Sequence, residues 1–266
     1  MSDAPSGQVK RTAAEVYEEF FVPALFLEWA PRMADAVGLS PGQTVLDVAC
    51  GTGALTREAV KRVEPGGSVT GLDCNEGMLA VASGKAPNIA WRLGQAESLP
   101  FADHAFDAVV SQFGLMFFAD RIAAIKEMWR VLRPGGRLGV AVWGPLDHAP
   151  GYAAMTRLLQ RLFGDRIANE LRAPFALGDL ETLCSLFTQC GLAQVEVRTL
   201  DGTARFPSIE SWVRTDVKGW TLADLIDEAQ YKLLLQEAET ELRPYLADNG
   251  TVTFSSPAHV ATALKS

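Results

Sequence analysis

The amino-acid sequence predicts an α/β fold in which a mostly parallel β-sheet carries helices on both faces. Two observations lead to this prediction. Short β-branched apolar runs alternate with helical stretches from residue 44 to residue 143, and these runs are apolar on both sides. Strands that alternate with helices form parallel sheets, and a strand that is covered on both faces is apolar throughout.

The chain starts with a polar segment, residues 1–12, that is rich in Ser, Gly, Pro and Asp and predicts a flexible tail. Residues 13–38 carry apolar side chains at helical spacing and predict N-terminal cap helices. Within them, Pro23 and Pro31 are expected to break or restart the helix.

Residues 39–143 predict the core of the sheet. Its strands are expected, in chain order, at Thr44–Val48, Ser68–Leu72, Ile89–Leu93, Phe106–Val110 and Leu138–Trp143. Helices are expected between them at residues 52–63, 76–83 and 122–132. The last of these helices is expected to stop at the turn Pro134-Gly135-Gly136.

Residues 144–266 are less regular and predict helical lid insertions followed by completion of the sheet. Helical stretches are expected at residues 152–170, 179–190 and 208–247. A strand is expected at 193–200, and residues 251–254 and 259–264 are expected to add one more. The predicted sheet therefore has seven strands.

Composition narrows the function classes. The 266 residues are 48% hydrophobic, with 24 Lys+Arg against 32 Asp+Glu and a net charge of −8. This acidic balance argues against a nucleic-acid partner. No apolar run approaches the ~18–20 residues that an integral membrane helix needs. The N-terminal residues lack the apolar core of a signal peptide, so we expect a cytoplasmic protein.

The cysteine pattern agrees with that location. Cys50, Cys74, Cys184 and Cys190 have no CxxC spacing and no histidine partners nearby. We expect them to be small buried residues and expect neither disulfides nor a metal site.

A glycine turn follows the first predicted strand and points to the ligand. Gly51 and Gly53 let a ligand approach the backbone closely, at the sheet edge where parallel sheets bind ligands. Asp73 ends the second strand, 20 residues beyond Gly53, where a carboxylate can accept hydrogen bonds from both ribose hydroxyls. Turn and acid together predict an adenosine-containing ligand.

The same turn argues against a dinucleotide. The dinucleotide motif is G-x-G-x-x-G, but here Thr56 stands at the third glycine position. Asp47, which precedes the turn inside the strand, would repel a pyrophosphate and suits the cationic end of an amino acid. A nucleotide-binding oxidoreductase is therefore the less favoured alternative.

Five segments in order resemble the class I S-adenosylmethionine-dependent methyltransferases. They are Asp47-Val48-Ala49-Cys50-Gly51-Thr52-Gly53, Gly71-Leu72-Asp73-Cys74-Asn75-Glu76-Gly77-Met78-Leu79, residues 94–101, residues 106–115, and Leu132-Arg133-Pro134-Gly135-Gly136. Within the class, the chain is most similar to the methyltransferase type 11 group and the quinone-biosynthesis C-methyltransferases. The resemblance implies a Rossmann-like sheet and S-adenosyl-L-methionine as cofactor.

The resemblance also implies which residues bind the cofactor. By position these are Asp47, Ala49, Gly51, Thr52, Gly53, Asp73, Cys74, Met78, Gln95, Ala96, Glu97, Ser111 and Gln112. Asp73 would hold the ribose, Cys74 and Met78 would flank the adenine, and Ser111 and Gln112 would lie beside the sulfonium.

Two positions depart from the family pattern. Ala49 replaces a glycine that is common in the first motif and narrows the turn. Gln95 stands where an aspartate is frequent, although its amide oxygen can still accept a hydrogen bond from the adenine amino group.

The methyl acceptor is predicted to be a small lipophilic or aromatic molecule. Apolar residues expected around its site are Tyr17, Phe21, Trp29, Phe113, Met116 and Phe117, with Trp212, Trp220 and Tyr231 as candidate linings in the lid. His148, just after the fifth strand, is the candidate catalytic base, needed only if the acceptor must lose a proton.

Several points stay open at this level. The motif of amino-methylating nucleic-acid enzymes is missing after strand four, and no acid stands there for a metal. Whether the accepting atom is O, N or C is unresolved, and a homodimer is left open. A cofactor-binding protein without transferase activity is the second alternative.

Overall fold

A seven-stranded sheet forms the centre of the computed structural model, which describes residues 11–192, 194–219 and 221–266. Strands among these residues lie at β1 (Thr44–Val48), β2 (Ser68–Asp73), β3 (Ala90–Leu93), β4 (Phe106–Gln112), β5 (Leu132–Trp143), β6 (Val195–Leu200), β7 (Thr203–Phe206), β8 (Val252–Ser255) and β9 (Ala258–Leu264). The strand order is β3-β2-β1-β4-β5-β9-β6. Neighbours pair in parallel except at β9, which runs antiparallel to β5 and β6. The predicted fold class is confirmed.

Helices cover the sheet and build the region after it. They lie at α1 (Arg11–Val16), α2 (Trp29–Ala36), α3 (Ala54–Val63), α4 (Glu76–Lys85), α5 (Arg121–Val131), α6 (Pro150–Phe163), α7 (Asp165–Arg172), α8 (Leu180–Gln189), α9 (Ile209–Lys218) and α10 (Glu228–Glu241). Short 3₁₀ turns lie at Leu115–Phe117, Leu146–His148, Ala173–Phe175, Thr221–Asp224 and Arg243–Tyr245. Residues 1–10 of the predicted tail and the predicted lid residue Trp220 lie outside the described residues.

Side-chain caps fix where several helices begin. The Asn75 side chain accepts a hydrogen bond from the Met78 N–H at 3.1 Å and starts α4. Asp120 accepts one from the Ala123 N–H at 2.9 Å and starts α5. Each cap satisfies a backbone donor that the first helical turn leaves unpaired.

Pro23 does not break the N-terminal helix, which corrects the prediction. Between α1 and α2 the chain forms a π-helical stretch, Tyr17–Phe26, with Pro23 inside it. Proline lacks the N–H that an α-helix needs, and the helix accommodates it with wider turns instead of ending.

The segment Pro134-Gly135-Gly136 is predicted to be the turn between the last core helix and β5. It lies instead inside β5, which already begins at Leu132. The pairing of β4 with β5 is irregular here, shifting between Phe106 and Ala108. Gly135 has a φ of 79°, and its N–H donates to the Lys265 carbonyl at 2.7 Å. The three residues therefore form a bulge within the strand.

The predicted last strand is two strands in two sheets. β9 completes the main sheet, whereas β8 pairs antiparallel with β7 in a separate two-stranded sheet. β7 (Thr203–Phe206) is not among the predicted strands, and its pairing partner β8 comes from a distant part of the chain.

The topology places a crevice at one edge of the main sheet. β1 lies between β2 and β4. The strands that follow β1 are therefore added first on one side of it, as β2 and β3, and then on the other side, as β4 and β5. Parallel sheets bind ligands at such a switch point, beside the carboxyl ends of the strands. Among the described residues, no helix combines the length and the apolar character needed to cross a membrane.

The cysteines are less buried than predicted. Cys50 is buried, but Cys190 is half-buried and Cys74 and Cys184 are exposed. Cys74 follows the end of β2 and Cys184 lies on the outer face of α8, so neither position is covered by another layer.

Candidate functional site

A cavity of about 440 Å³, the main cavity, opens at the carboxyl ends of β1, β2 and β4. Its size lies within the roughly 300–1,000 Å³ of small-molecule sites. It brings together eleven residues predicted to bind the cofactor: Asp47, Ala49, Gly51, Thr52, Asp73, Cys74, Met78, Gln95, Ala96, Glu97 and Gln112. Gly53 and Ser111 do not line it.

Asp73 connects the glycine turn to the end of β2. Its Oδ2 accepts a hydrogen bond from the Gly51 N–H at 2.8 Å, and its Oδ1 accepts one from the Asn75 N–H at 2.8 Å. The side chain is buried, which raises the pKa of the carboxyl group, while these backbone donors lower it. Each carboxylate oxygen has a second lone pair that can accept from a ligand hydroxyl.

Asp47 has one oxygen in use and one without a partner. Its Oδ2 accepts from the Thr56 hydroxyl at 2.6 Å, whereas its Oδ1 has no hydrogen-bond partner among the residues that the structure describes. The side chain is 1% exposed, and this burial raises its pKa to about 7. A buried acceptor that lines a cavity and lacks a partner is suited to a ligand donor, above all a cationic one.

Two more lining residues carry unpartnered polar atoms. Gln112 donates from Nε2 to the Phe26 carbonyl at 3.3 Å, but its buried Oε1 has no partner within the described part of the chain. The same holds for the buried Thr52 hydroxyl. The polar floor of the main cavity therefore fits a ligand with several donors, such as an amino-acid end joined to a ribose.

The turn after β1 uses left-handed backbone at Ala49, Gly51 and Gly53, with φ of 57°, 55° and 85°. A Cβ on Gly53 would lie 2.4 Å from the Trp91 indole. Gly53 therefore allows Trp91 to pack under the turn and does not face the main cavity.

Ala49 and Ser111 meet beside Gly114. A Cβ on Gly114 would lie 2.6 Å from the Ala49 Cβ and 3.0 Å from the Ser111 Oγ. The Ser111 side chain is fully buried, and its hydroxyl has no partner among the described residues, yet it stands behind the cavity wall. The side chain of Ala49, which departs from the family pattern, thus occupies the space that the missing Cβ of Gly114 leaves free.

The predicted adenine side is a shallow wall. Met78 and Ala96 are buried, while Cys74 and Gln95 are exposed at its rim. Glu97 has a bracing role, because its Oε1 accepts from the Ala119 N–H at 2.9 Å and so joins the loop after β3 to the loop after β4.

Aromatic residues separate the main cavity from a second, smaller one of about 50 Å³, the side cavity. Tyr17, Phe26, Phe113 and Phe117 line both. The side cavity is further lined by Phe21, Leu25, Trp143, Tyr152, Leu171, Pro174, Phe175 and Asp216. The predicted acceptor residues Tyr17, Phe21, Phe113 and Phe117 are thus brought together.

The predicted acceptor residues Trp29 and Met116 and the candidate base His148 line neither cavity. Trp29 is fully buried and lies edge-on to Phe113, with ring centroids 5.8 Å apart. Met116 is also buried and lines neither cavity. His148 is exposed on a 3₁₀ turn outside both cavities, so the structure does not bring the candidate base to the site.

The lid residues behave differently from the prediction. Trp212 is fully buried and stacks on Phe206 at 5.5 Å, inside the lid instead of on its surface. Tyr231 packs against the Lys218 ammonium at 5.1 Å. Neither lines a cavity.

Sequence reasoning missed four residues of the site: Thr56, Trp91, Tyr152 and Asp216. A signal existed for Asp216, because it shares the apolar face of α9 with Trp212, Val213 and Val217 at positions i, i+1, i+4 and i+5. A carboxylate on an apolar helix face is rare unless it has a function or a partner.

Comparison with known proteins decides the family. Residues 45–136 match a family model described as a methyltransferase domain. The demethylmenaquinone methyltransferase of Renibacterium salmoninarum is 35% identical over 184 residues, which cover 65% of this chain and 76% of that protein. The chain belongs to the class I S-adenosylmethionine-dependent methyltransferases. The demethylmenaquinone methyltransferase of Staphylococcus carnosus is also 35% identical, over 188 residues that cover 65% of this chain and 78% of that protein.

The match to the Beutenbergia cavernae demethylmenaquinone methyltransferase is 39% identical over 135 residues, which cover 49% of this chain and 55% of that protein.

Solved structures agree on the fold. The YcgJ protein of Bacillus subtilis matches this methyltransferase with a TM-score of 0.60 and 23% identity. The match covers 90% of this chain and 98% of the YcgJ chain. Haemonchus contortus phosphoethanolamine N-methyltransferase 2, solved with S-adenosylhomocysteine, matches with a TM-score of 0.62 and 20% identity. That match covers 96% of this chain and 57% of the Haemonchus contortus chain. S-adenosylmethionine is the cofactor of this methyltransferase.

Proposed function

We propose that this methyltransferase transfers the methyl group of S-adenosylmethionine to a small, lipophilic or aromatic molecule. The observation that carries the proposal is the contrast within the main cavity. Its lining combines a polar surface that includes the carboxylates of Asp47 and Asp73 with an apolar surface that includes the rings of Tyr17, Phe113 and Phe117. A polar, cationic cofactor suits the first surface and an apolar acceptor suits the second.

The residues present fit the cofactor. The unpartnered Oδ1 of Asp47 would accept from its ammonium group, and Asp73 would accept from the ribose hydroxyls. Cys74 and Met78 would flank the adenine, with Gln95, Ala96 and Glu97 along its edge. Thr52 and the backbone of Ala49 and Gly51 would surround the methionine portion, and Gln112, in front of Ser111, would lie nearer the sulfur.

Bound S-adenosylmethionine supplies a methyl carbon that is already activated by the positive charge on sulfur. The protein then has to align the acceptor with that carbon and exclude water. Tyr17 and Phe26 stack at 5.2 Å over the glycine turn, and Phe113 stacks on Trp143 at 3.8 Å. These rings form a fixed apolar wall that would hold a flat acceptor.

The acceptor class is supported by the relatives, whose names give demethylmenaquinone as the substrate. On this proposal residues 39–143 bind the cofactor, whereas residues 13–38 and 144–266 enclose the acceptor. A cytoplasmic location, a homodimer and the absence of a nucleic-acid partner stay predictions.

Radioactive methyl transfer tests the proposal. The purified protein is incubated with methyl-labelled S-adenosylmethionine and either reduced demethylmenaquinone or a cell extract, which is then divided between organic solvent and water. We expect label in the organic phase. Label confined to nucleic acid or protein would contradict the acceptor class, and cofactor binding without any transfer would favour the binding-protein alternative.

A further inference from the structure

Asp216 is a buried acid that neither the fold nor cofactor binding explains. It lies on α9 among the buried side chains of Trp212, Val213 and Val217 and is itself 2% exposed. Neither carboxylate oxygen has a hydrogen-bond partner among the residues that the structure describes. Burial raises the pKa of the carboxyl group well above its ordinary value. The indole N–H of Trp212 faces the carboxyl group without making a hydrogen bond of ordinary geometry, and it lowers the pKa by less.

Tyr152 presents a second unpartnered polar group to the same space. The ring is 4% exposed and lies edge-on to Trp212, with centroids 5.9 Å apart. Its hydroxyl has no partner in the described part of the chain. Burial raises the pKa of this phenol, and the carboxylate of Asp216 raises it further.

Both groups line the side cavity, whose other walls are apolar. Unpartnered polar groups in such surroundings destabilise the folded protein, and a ligand that hydrogen-bonds to them recovers this free energy. The side cavity shares Tyr17, Phe26, Phe113 and Phe117 with the main cavity. A volume of about 50 Å³ suits one polar substituent of an acceptor whose body lies against these rings.

We propose that Asp216 and Tyr152 bind the hydroxyl group of a phenol-like acceptor, which donates a hydrogen bond to the Asp216 carboxyl and accepts one from the Tyr152 hydroxyl. This inference rests on the proposed function and names the chemistry of its acceptor. A carboxyl group offers an acceptor oxygen whether or not it carries the proton, and a tyrosine hydroxyl is a donor. The two therefore match the two hydrogen-bonding roles of one phenol.

Such a pair acts as a specificity site. An analogue without the hydroxyl leaves both buried groups unpaired, and a site built to hydrogen-bond a hydroxyl rejects that analogue by large factors. An apolar cavity without the pair distinguishes the two molecules far less.

Calorimetric titration with 1-naphthol and naphthalene tests the inference, in the free protein and in protein loaded with S-adenosylhomocysteine. We expect the wild type to bind 1-naphthol at least tenfold more tightly than naphthalene. In Tyr152→Phe and Asp216→Val, which remove the donor and the acceptor, that preference falls below threefold, while the affinity for naphthalene changes less than twofold. The controls Tyr231→Phe and Asp248→Val, outside both cavities, keep the preference.

Equal binding of the two probes by the wild type would overturn the inference, and so would a preference that survives both substitutions. Tyr152→Phe is the decisive variant if Asp216→Val does not fold. Failure to bind S-adenosylhomocysteine would contradict the proposed function instead, because the naphthol preference is also measured in the free protein.

Discussion

The Asp73 carboxylate accepts a hydrogen bond from the Gly51 N–H at 2.8 Å, so the acid that ends β2 holds the glycine turn that follows β1. Its other oxygen accepts from the Asn75 N–H and holds the start of α4. One side chain therefore fixes two walls of the main cavity before any ligand enters. The main cavity is preorganised by the same residue that we propose binds the ribose.

Asp73→Asn should weaken binding of S-adenosylhomocysteine by roughly 10- to 100-fold. Hydrogen bonds to a charged group contribute about 1.5–3 kcal/mol, and the amide replaces one acceptor oxygen by a donor. Its NH₂ group would face a backbone N–H, either of Gly51 or of Asn75. Calorimetric titration measures the change.

The matched control for this variant is Asp248→Asn, an exposed acid outside both cavities, which should bind as the wild type does. Wild-type affinity in Asp73→Asn would show that the carboxylate does not contact the ligand.

Binding should depend on pH through Asp47. Burial raises the pKa of this carboxyl to about 7, so below pH 7 the free protein holds a proton there that a cationic ligand must displace. The affinity for S-adenosylhomocysteine, whose amino-acid ammonium stays charged over this pH range, should therefore rise about tenfold per pH unit below 7 and level off above it. Titrations from pH 5 to pH 7.5 measure the slope.

Asp47→Asn provides the comparison, since its affinity should be weaker at pH 7.5 and nearly independent of pH. The same steep pH dependence in this variant would assign the proton to another group and remove Asp47 from the ammonium site.

Ala49 and Gly114 should be energetically coupled. Gly114→Ala places a Cβ 2.6 Å from that of Ala49 and should destabilise the fold by roughly 1–3 kcal/mol. Ala49→Gly should be nearly neutral, because relief of the left-handed alanine offsets the greater freedom of glycine in the unfolded chain. The double variant should recover at least about 0.5 kcal/mol of the loss in urea unfolding. Strict additivity would mean that the two residues do not touch.

His148→Ala should leave methyl transfer within about twofold of the wild-type rate at every pH. The imidazole is exposed and lines neither cavity, so it has no route to an enclosed acceptor. Steady-state kinetics from pH 6 to pH 9 measure this. A large fall in kcat that abolishes the acidic limb of the pH–rate profile and keeps the alkaline limb would identify His148 as the general base. The 3₁₀ turn that carries His148 would then have to move toward the acceptor.

That Asp47, Gly51 and Asp73 line one cavity could be predicted because they stand at strand ends that are local in sequence. A parallel sheet brings the carboxyl ends of neighbouring strands together. Even there, the role of Gly53 depended on Trp91, which lies 38 residues further along the chain and packs from below.

The acceptor side could not be predicted to the same depth. Phe113 and Trp143 stack across two strands, and Tyr152 and Asp216 meet only because α6 and α9 fold over the sheet edge. Such contacts depend on tertiary packing between distant segments, which hydrophobic spacing along one helix does not encode. His148 shows the reverse error, since nearness to the end of β5 in sequence did not place it in the cavity.

A crystal structure with S-adenosylhomocysteine would show directly whether the main cavity binds the cofactor. We expect the product in the main cavity, with its ribose hydroxyls within hydrogen-bond distance of Asp73, its ammonium at Asp47 Oδ1 and its sulfur facing the rings of Phe113 and Phe117. A product bound away from the carboxyl ends of β1 and β2, or one whose ribose points away from Asp73, would contradict this expectation.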